Sequence, residues 1–475
     1  MELALRDSRF LSALRLTFIT ATISMFILFV ISVPTAYAIA RINFSGKSFL
    51  LSLVDLPIII PQSAAGIAIL HVFGRKQIIG SFFADRLGIP VDGTVAGIII
   101  AQIFVALPFL LRSAVIAFET IDEELELTAR SLGASAWRTF YRIAIPLASR
   151  GIFLGSILAW ARAAGEFGAV IFVAPAPETA PVFVYNNFNI SGIIETKPMV
   201  SLLLFFSLAM FFLLQCLTKL LSKGSYSEGT LTAFFSKDNH TSAISQPYVS
   251  SYINKKIPSE NQIRSVLETN NLMLKLGDFT LGPISIEIKT NDYLFIVGRS
   301  GCGKTTLLKV IAGFLKPDSG EIKLSGKNAI SLPPEKRNIG YVSQTVSLFP
   351  HLSVEENVKF GLLCRNIEQK SLTSEFLSTV ELTGITYLLK RMPNTLSGGE
   401  KRRVAIARAL AVNPVILLLD EPLSMLDFEA RSDLMKMLNM VHLSGIPIIH
   451  VTHHPEEIIF PSAKILKMDS GKITI

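Results

Sequence analysis

The sequence predicts an all-α polytopic membrane domain of about five transmembrane helices, followed by an α/β domain built on a phosphate-gripping loop. Three observations predict it. Apolar segments of membrane-spanning length fall almost entirely before residue 222. The stretch Gly298-Arg299-Ser300-Gly301-Cys302-Gly303-Lys304-Thr305 fits G-x-x-x-x-G-K-[ST]. Beyond it, the apolar run Val415-Ile416-Leu417-Leu418-Leu419 ends in the carboxylates Asp420 and Glu421.

Composition agrees with a divided chain. Hydrophobic residues make up 50% and charged residues 17% of the 475, whereas soluble proteins carry about 25% charged residues. The net charge of +8 invites a nucleic-acid reading. Much of the excess flanks apolar segments, where the positive-inside bias accounts for it, so no nucleic-acid partner is expected. Cys216, Cys302 and Cys364 are far apart and form no C-x-x-C pair, which points away from a zinc site or a disulfide framework. The first apolar run is too long for a cleavable signal peptide and lacks a small-residue cleavage pattern.

A membrane-crossing helix needs about 20 mostly apolar residues. Segments at about 13–40, 49–73, 94–118 and 199–221 reach that length, and a fifth at about 147–174 does so while carrying Arg162 and Glu166. Arg41 and Lys47, then Arg130, Arg138, Arg142 and Arg150, then Lys223, Lys237, Lys255 and Lys256 fall in alternate loops, so these face the cytoplasm together and the N-terminus lies outside. Arg75, Lys76 and Arg86 in the opposing loops weaken the bias. Four residues separate Arg162 from Glu166, which places both on one helix face. Charges at membrane depth either line a pathway or lock helices together, and the sequence leaves both readings open.

Between the third and fourth spans the chain is polar. Residues 121–132 suit a short amphipathic helix stopped by Gly133, and Ile143-Ala144-Ile145-Pro146 follows. The spacing from Gly133 to Ile143 and Pro146 resembles the coupling loop of ABC importer permeases, although Leu127-Thr128-Ala129 keeps only the last residue of its E-A-A part. A plain cytoplasmic hairpin is the alternative. Val54-Asp55-Leu56-Pro57, Pro61, Gly74-Arg75-Lys76 and the run from Ala161 to Ala169 resemble the molybdate permease family, kin to the tungstate and sulfate permeases. Over about residues 10–222 this resemblance implies an oxyanion importer in the cytoplasmic membrane, fed by an extracytoplasmic oxyanion-binding protein.

Residues 223–266 are polar and Ser-rich and read as a linker, interrupted by Phe234-Phe235. From 267 to 475 strand-like and helix-like runs alternate, the pattern of an α/β domain. Tyr293–Val297 reads as a buried strand entering the glycine loop and Thr305–Gly313 as the helix leaving it. In this setting Gly298, Arg299, Ser300, Gly301, Cys302, Gly303, Lys304, Thr305 and Thr306 are candidates to cradle ATP, with Lys304 on the β- and γ-phosphates and the Thr305 hydroxyl on Mg2+. Asp420 is placed to hold Mg2+ and Glu421 to orient or deprotonate the attacking water. An ordinary buried strand with an exposed acidic pair is the alternative, and the glycine loop upstream argues against it.

Leu396-Ser397-Gly398-Gly399-Glu400 resembles the ABC signature L-S-G-G-Q, with Glu400 in place of Gln, and opens the basic helix Lys401–Leu410. The resemblance implies that Ser397, Gly398 and Gly399 face ATP held by a partner domain, and hence a homodimer with two composite sites. It further implies that Gln344 touches Mg2+ and meets the coupling helix, that Ser424-Met425-Leu426-Asp427 is a dimer-contact loop, and that His453 is the switch histidine. His454 stands where the family has Asp. The family's adenine-stacking aromatic is missing at Leu276, with Phe279 the nearest candidate. No regulatory domain is expected after Ile475, and therefore no trans-inhibition through one. An ABC exporter and a non-hydrolysing sensor are the competing classes. Gly133–Pro146 argues against the first, and Lys304, Asp420, Glu421 and His453 against the second.

Overall fold

The computed structural model describes residues 7–224, 264–365, 369–458 and 463–474. Most of the expected linker 223–266, with Phe234-Phe235, lies outside them. The chain divides into two compact units. One comprises Met1–Ile121 with Leu147–Ala233, and the other Asp122–Pro146 with Phe234–Ile475.

The first unit is helical. Helix α1, Ser8–Arg41, starts where the Asp7 carboxylate accepts the Arg9 and Phe10 N–H groups. Helices α2 (Lys47–Ile59), α3 (Gln62–Phe73), α4 (Ile78–Leu87) and α5 (Val95–Glu119) follow. Helix α1 packs along α5, and Ser24 Oγ donates to Gln102 Oε1 at 3.0 Å between them. Four helices among the described residues are long and apolar enough to cross a membrane: Ser8–Arg41, Val95–Glu119, Ala136–Ala164 and Ala180–Phe212. A fifth crossing is reached only if α2 and α3 count as one span. The protein is thus a multi-pass membrane protein.

Three spans differ from the sequence expectation. The run at 49–73 is not one helix: α2 and α3 are bent by 115° across Ile60-Pro61. Pro61 has no N–H to continue the ladder and disfavours helical geometry at Ile60. At 12 and 13 residues, each piece is only about 18–20 Å long. The run expected at 147–174 stops early. Its helix spans Ala136–Ala164 as a short turn α7 (Ala136–Thr139), a π-helical turn Phe140–Ala144 and α8 (Ile145–Ala164). After an irregular stretch comes α9, Val170–Val173. The last helix, α10 (Ala180–Gly224), starts well before residue 199 and breaks at Gly192, whose φ of 76° and ψ of −175° are non-helical.

The second unit is α/β, with α6, a short amphipathic helix Glu123–Ser131 from the polar segment after α5, grouped with it. Strands β1 (Ser265–Leu276), β2 (Phe279–Lys289), β4 (Ser319–Leu324) and β5 (Lys327–Asn328) form an antiparallel sheet in the order β2-β1-β4-β5. The second sheet contains β3 (Tyr293–Val297), β6 (Ile339–Val342), β7 (Ile416–Asp420), β8 (Ile448–Thr452), β9 (Lys464–Asp469) and β10 (Lys472–Thr474), in the order β10-β9-β3-β8-β7-β6. Strands β9, β3, β8, β7 and β6 pair in parallel, and both faces of the central ones are buried, which explains their unbroken apolar runs. Five longer helices surround the sheets: Lys304–Ala312, Val354–Cys364, Gln369–Thr383, Gly398–Ala411 and Phe428–Leu443. One apolar cluster lies between the antiparallel sheet, the parallel sheet and Lys304–Ala312; a second lies on the opposite face of the parallel sheet, under the other four helices.

Candidate nucleotide-hydrolysis site and its docked permease segment

Strands β3, β8, β7 and β6 are neighbours and run the same way, so their C-terminal ends share one edge of the sheet. Each end delivers a residue singled out from the sequence: Gly298 after β3, His453 after β8, Asp420 and Glu421 at the end of β7, and Gln344 just past β6. Ligands of open parallel sheets bind at such edges.

The loop after β3 needs glycine for geometric reasons. Gly301 and Gly303 adopt φ of 81° and 104°, in the left-handed region. A Cβ on Gly303 would also meet the Phe279 ring at 2.6 Å. The helix Lys304–Ala312 starts at this point, so its free N–H groups open onto the loop. Lys304 is 5% exposed and its ammonium donates to the carbonyls of Gly298 and Arg299, both at 2.8 Å. Arg299, Ser300, Cys302 and Thr306 complete the loop and the first turn. The Cys302 thiol is buried below it.

Thr305 Oγ1 donates to Asp420 Oδ1 at 3.1 Å. Burial pushes the Asp420 carboxyl up to about 6, partly offset by the Thr305 hydroxyl. A sequestered carboxylate beside a hydroxyl is a hard-oxygen donor pair that a bound Mg2+ would neutralise, so these residues fit the metal. Glu421 stands beyond them at φ 47°, a left-handed conformation uncommon for a side chain of this kind. Its Oε2 accepts from Gln344 Nε2 at 2.8 Å, and its Oε1 lies 2.9 Å from His453 Nδ1. The structure therefore brings Gln344, Glu421 and His453 into one cluster, with Thr305 and Asp420 paired beside it.

The Ser397–Gly399 segment lies at a helix start. Ser397 Oγ accepts the Glu400 N–H at 3.3 Å, and Glu400 Oε2 accepts the Ser397 N–H at 2.7 Å. This reciprocal cap explains why Glu is tolerated at 400, where the signature has Gln: the carboxylate sits at the positive end of the helix. The Ser397 N–H, assisted by Arg391 at 3.3 Å, holds the Glu400 carboxyl below its usual range. Met425 within the Ser424–Asp427 turn and Phe428 just after it are almost fully exposed. Of the two adenine candidates, Leu276 is exposed and Phe279 lies against the glycine loop.

The segment Asp122–Pro146 packs within this unit. Its amphipathic helix, which runs over Glu123–Ser131, packs against β6 and the turn Pro334–Lys336. Lys309 Nζ donates to Glu124 Oε1 at 2.6 Å, and Arg130 Nη2 to Glu335 Oε2 at 3.1 Å. Arg138 Nη1 donates to the Cys364 carbonyl at 2.6 Å, and His351 Nε2 lies 2.9 Å from the Arg142 carbonyl. Gly133 ends the helix at φ 99°, and a Cβ there would press on the Arg365 side chain at 3.1 Å. Ile143 is fully buried, and Pro146 closes the segment. The sequence pointed to Gly133, Ile143 and Pro146. It did not reveal the charged partners, because Lys309, Glu335 and His351 belong to no motif.

In the membrane unit Glu166 comes two residues after α8 ends, but the turn continues, with the Gly165 N–H on the Ala161 carbonyl at 3.1 Å and the Glu166 N–H on the Ala163 carbonyl at 3.2 Å. Arg162 and Glu166 thus meet at the four-residue offset that the spacing suggested. Arg162 Nη1 donates to Glu166 Oε2 at 2.6 Å, and Glu166 Oε1 accepts the Ala169 N–H at 2.7 Å. Arg162 also lines a cavity of ≈ 620 Å3 with the broken stretch Pro57–Ser63. A second pair went unnoticed in the sequence: Arg112 of α5 forks onto Asp55 of α2, its Nε donating to Oδ1 at 2.9 Å. A lone arginine in the third apolar run was the available signal.

A multi-pass helical unit joined to an α/β domain with this phosphate loop defines a membrane protein that carries its own ATPase. Residues 13–225 match the family described as the binding-protein-dependent transport system inner membrane component, and residues 281–424 match the ABC transporter family. The chain is thus an ABC transporter permease and an ABC transporter ATPase fused in one polypeptide. The molybdate/tungstate import ATP-binding protein WtpC of Pyrococcus abyssi is 43% identical over 209 residues, 44% of this chain and 61% of that protein. The spermidine/putrescine import ATP-binding protein PotA of Bacteroides fragilis is 41% identical over 212 residues, 44% of this chain and 46% of that protein. The chain thus spans less than two thirds of the length of these curated relatives. Among solved structures, CbiO1 from Clostridium perfringens, part of the ABC transporter complex CbiONQ, aligns with a TM-score of 0.42 and 31% identity, covering 45% of this chain and 88% of that one.

Proposed function

We propose that this chain is half of an ATP-driven importer of an oxyanion of the molybdate or tungstate class, working in the cytoplasmic membrane with its ATPase domain in the cytoplasm. The observation that carries the reading is the docking of Asp122–Pro146 on the ATPase unit, where Glu124 meets Lys309 on the helix that leaves the phosphate loop. A movement of that helix on nucleotide binding is felt directly by the permease segment.

ATP occupies the loop from Gly298 to Thr306, with its phosphates at the helix start. Mg2+ is held by Thr305, Asp420 and Gln344, and when bound it offsets phosphate charge. Glu421 orients the attacking water and takes its proton. His453 and Gln344 hold the two oxygens of that carboxylate. Ser397, Gly398 and Gly399 meet the nucleotide of a second copy, so two chains make the complete machine. Membrane lipid surrounds the helices, and an extracytoplasmic binding protein delivers the anion.

The molybdate reading rests on the permease motifs and on relatives such as WtpC, and sulfate or thiosulfate is the neighbouring anion. The similarity to PotA favours a second reading, a polyamine importer. The test is ATPase stimulation of the reconstituted chain by binding proteins loaded with molybdate, tungstate, sulfate or spermidine. Stimulation by the molybdate- or tungstate-loaded protein is the expected result. A response to the spermidine-loaded protein alone would replace the oxyanion reading.

A further inference from the structure

Arg402 lies on the second turn of the helix Gly398–Ala411, whose start is the Ser397–Gly399 segment, and it is 4% exposed. Its guanidinium faces main-chain and hydroxyl oxygens. Nη1 donates to the carbonyls of Ser343 at 3.1 Å and Gln344 at 2.9 Å, and Nη2 to Ser424 Oγ at 3.4 Å. Two of these residues, Gln344 and Ser424, lead on to Glu421. Gln344 sends its side-chain amide to the Glu421 carboxylate at 2.8 Å, and Ser424 donates its hydroxyl to the Glu421 carbonyl at 2.9 Å. One buried cation therefore reaches Glu421 twice, through its side chain and through its backbone.

Burying a guanidinium is costly unless its donors are used. Here Nη1 and Nη2 donate to two separate loops, which a point-like ammonium cannot do equally well, while the buried Nε has no partner among the described residues. Glu421 also needs such restraint, because its left-handed φ of 47° persists only if the surroundings enforce it.

We propose that Arg402 is a positioning residue for ATP hydrolysis: it fixes Gln344 and Glu421 relative to the helix that begins at Ser397. The proposal rests on the assignment of Glu421 as the catalytic carboxylate. It makes the signature helix and the carboxylate one mechanical body within each ATPase domain. Displacement of that helix by a nucleotide then moves Glu421 with it.

The test is a double-mutant cycle on the full chain in lipid nanodiscs, reading kcat and nucleotide affinity separately. Arg402→Met should lower kcat by about 10-fold or more while changing the affinity for a fluorescent ATP analogue by less than about twofold. Arg402→Lys should recover part of the loss. Gln344→Ala should also lower kcat, and adding Arg402→Met to it should cost less than Arg402→Met costs alone, because the two share the path through Gln344 and only the path through Ser424 is left to lose. A kcat within about twofold of the parent for Arg402→Met, a parallel loss of affinity, or losses that multiply in the double variant would each overturn the proposal. If Arg402→Met does not fold, Arg402→Lys with Gln344→Ala runs the same cycle. Glu421→Gln separates the two layers. Parent-level turnover by that variant removes the assignment of Glu421 itself, whereas abolished turnover with multiplying Arg402 losses removes only the positioning role.

Discussion

His453 Nδ1 and Glu421 Oε1 stand 2.9 Å apart, with Gln344 Nε2 on the other carboxylate oxygen at 2.8 Å. Both partners leave the carboxylate aimed along the edge where the phosphate loop lies. Replacing Glu421 by Gln keeps the shape and removes the base, so ATP turnover should fall about 100-fold or more with ATP affinity retained. His453→Ala removes one of the two restraints on the carboxylate and should lower kcat by a smaller factor. Steady-state ATPase assays with a parallel nucleotide-binding measurement check both. Turnover at the parent rate in Glu421→Gln would remove the residue from the chemistry.

Glu421 was legible in the sequence because the strand–loop–helix pattern around Gly298–Thr305 and the Val415–Glu421 run have short-range signatures, whereas Gln344 and His453 were reached only through the family resemblance. The bends in the membrane unit were not legible. Hydropathy sums over a window, so Ile60-Pro61 vanishes inside the apolar run at 49–73, and Gly192 lies ahead of the run read at 199–221 in a stretch not read as part of a span. Spacing served at Arg162 and Glu166, which meet at a four-residue offset although α8 ends at Ala164. Long-range partners such as Lys309–Glu124 and Arg402–Ser343 carry no local pattern, and only the folded chain brings them together.

Lys309 and Glu124 test the coupling between ATPase and permease. Their side chains are 26% and 20% exposed, so the pair contributes only about 1 kcal/mol to stability and its loss should not unfold the unit. Charge reversal in Glu124→Lys sets two ammonium groups against each other. Transport should then fall much further than ATPase activity, while the double swap Glu124→Lys with Lys309→Glu restores part of it. Uptake and ATPase measured on the same vesicles give the ratio. Equal losses of both activities would remove the pair from coupling.

His351 predicts a pH dependence. Burial lowers its pKa below 6.5, opposed by its bond to the Arg142 carbonyl and by Glu356. The unfolded chain therefore binds the proton more readily than the native state. The stabilising contribution is fully present above pH 6.5 and is lost as the pH falls through the depressed native value. His351→Gln keeps an N–H donor for Arg142 without a titrating ring. The thermal midpoint of the parent should drop more steeply than that of His351→Gln between about pH 7 and pH 5. Parallel pH curves for the two proteins would contradict this.

Arg162 and Glu166 distinguish a packing role from a transport role. The Glu166 side chain is fully buried and accepts both Arg162 and the Ala169 N–H, so it ties the end of α8 to the start of α9. Removing one partner of a buried pair leaves an uncompensated charge, a loss of about 3–5 kcal/mol. Arg162→Ala strands the fully buried Glu166 carboxylate with only the Ala169 N–H and should therefore reduce the amount of folded protein in the membrane. Glu166→Ala leaves Arg162, whose side chain is 24% exposed and borders a cavity, and should cost less. A merely structural pair predicts that transport per folded molecule stays at the parent level in both variants. Because Arg162 also lines the cavity beside Pro57–Ser63, a fall in transport per folded molecule confined to Arg162→Ala would instead assign that guanidinium to the path of the anion. Quantifying folded protein by detergent-resistant monodispersity alongside uptake separates the two outcomes.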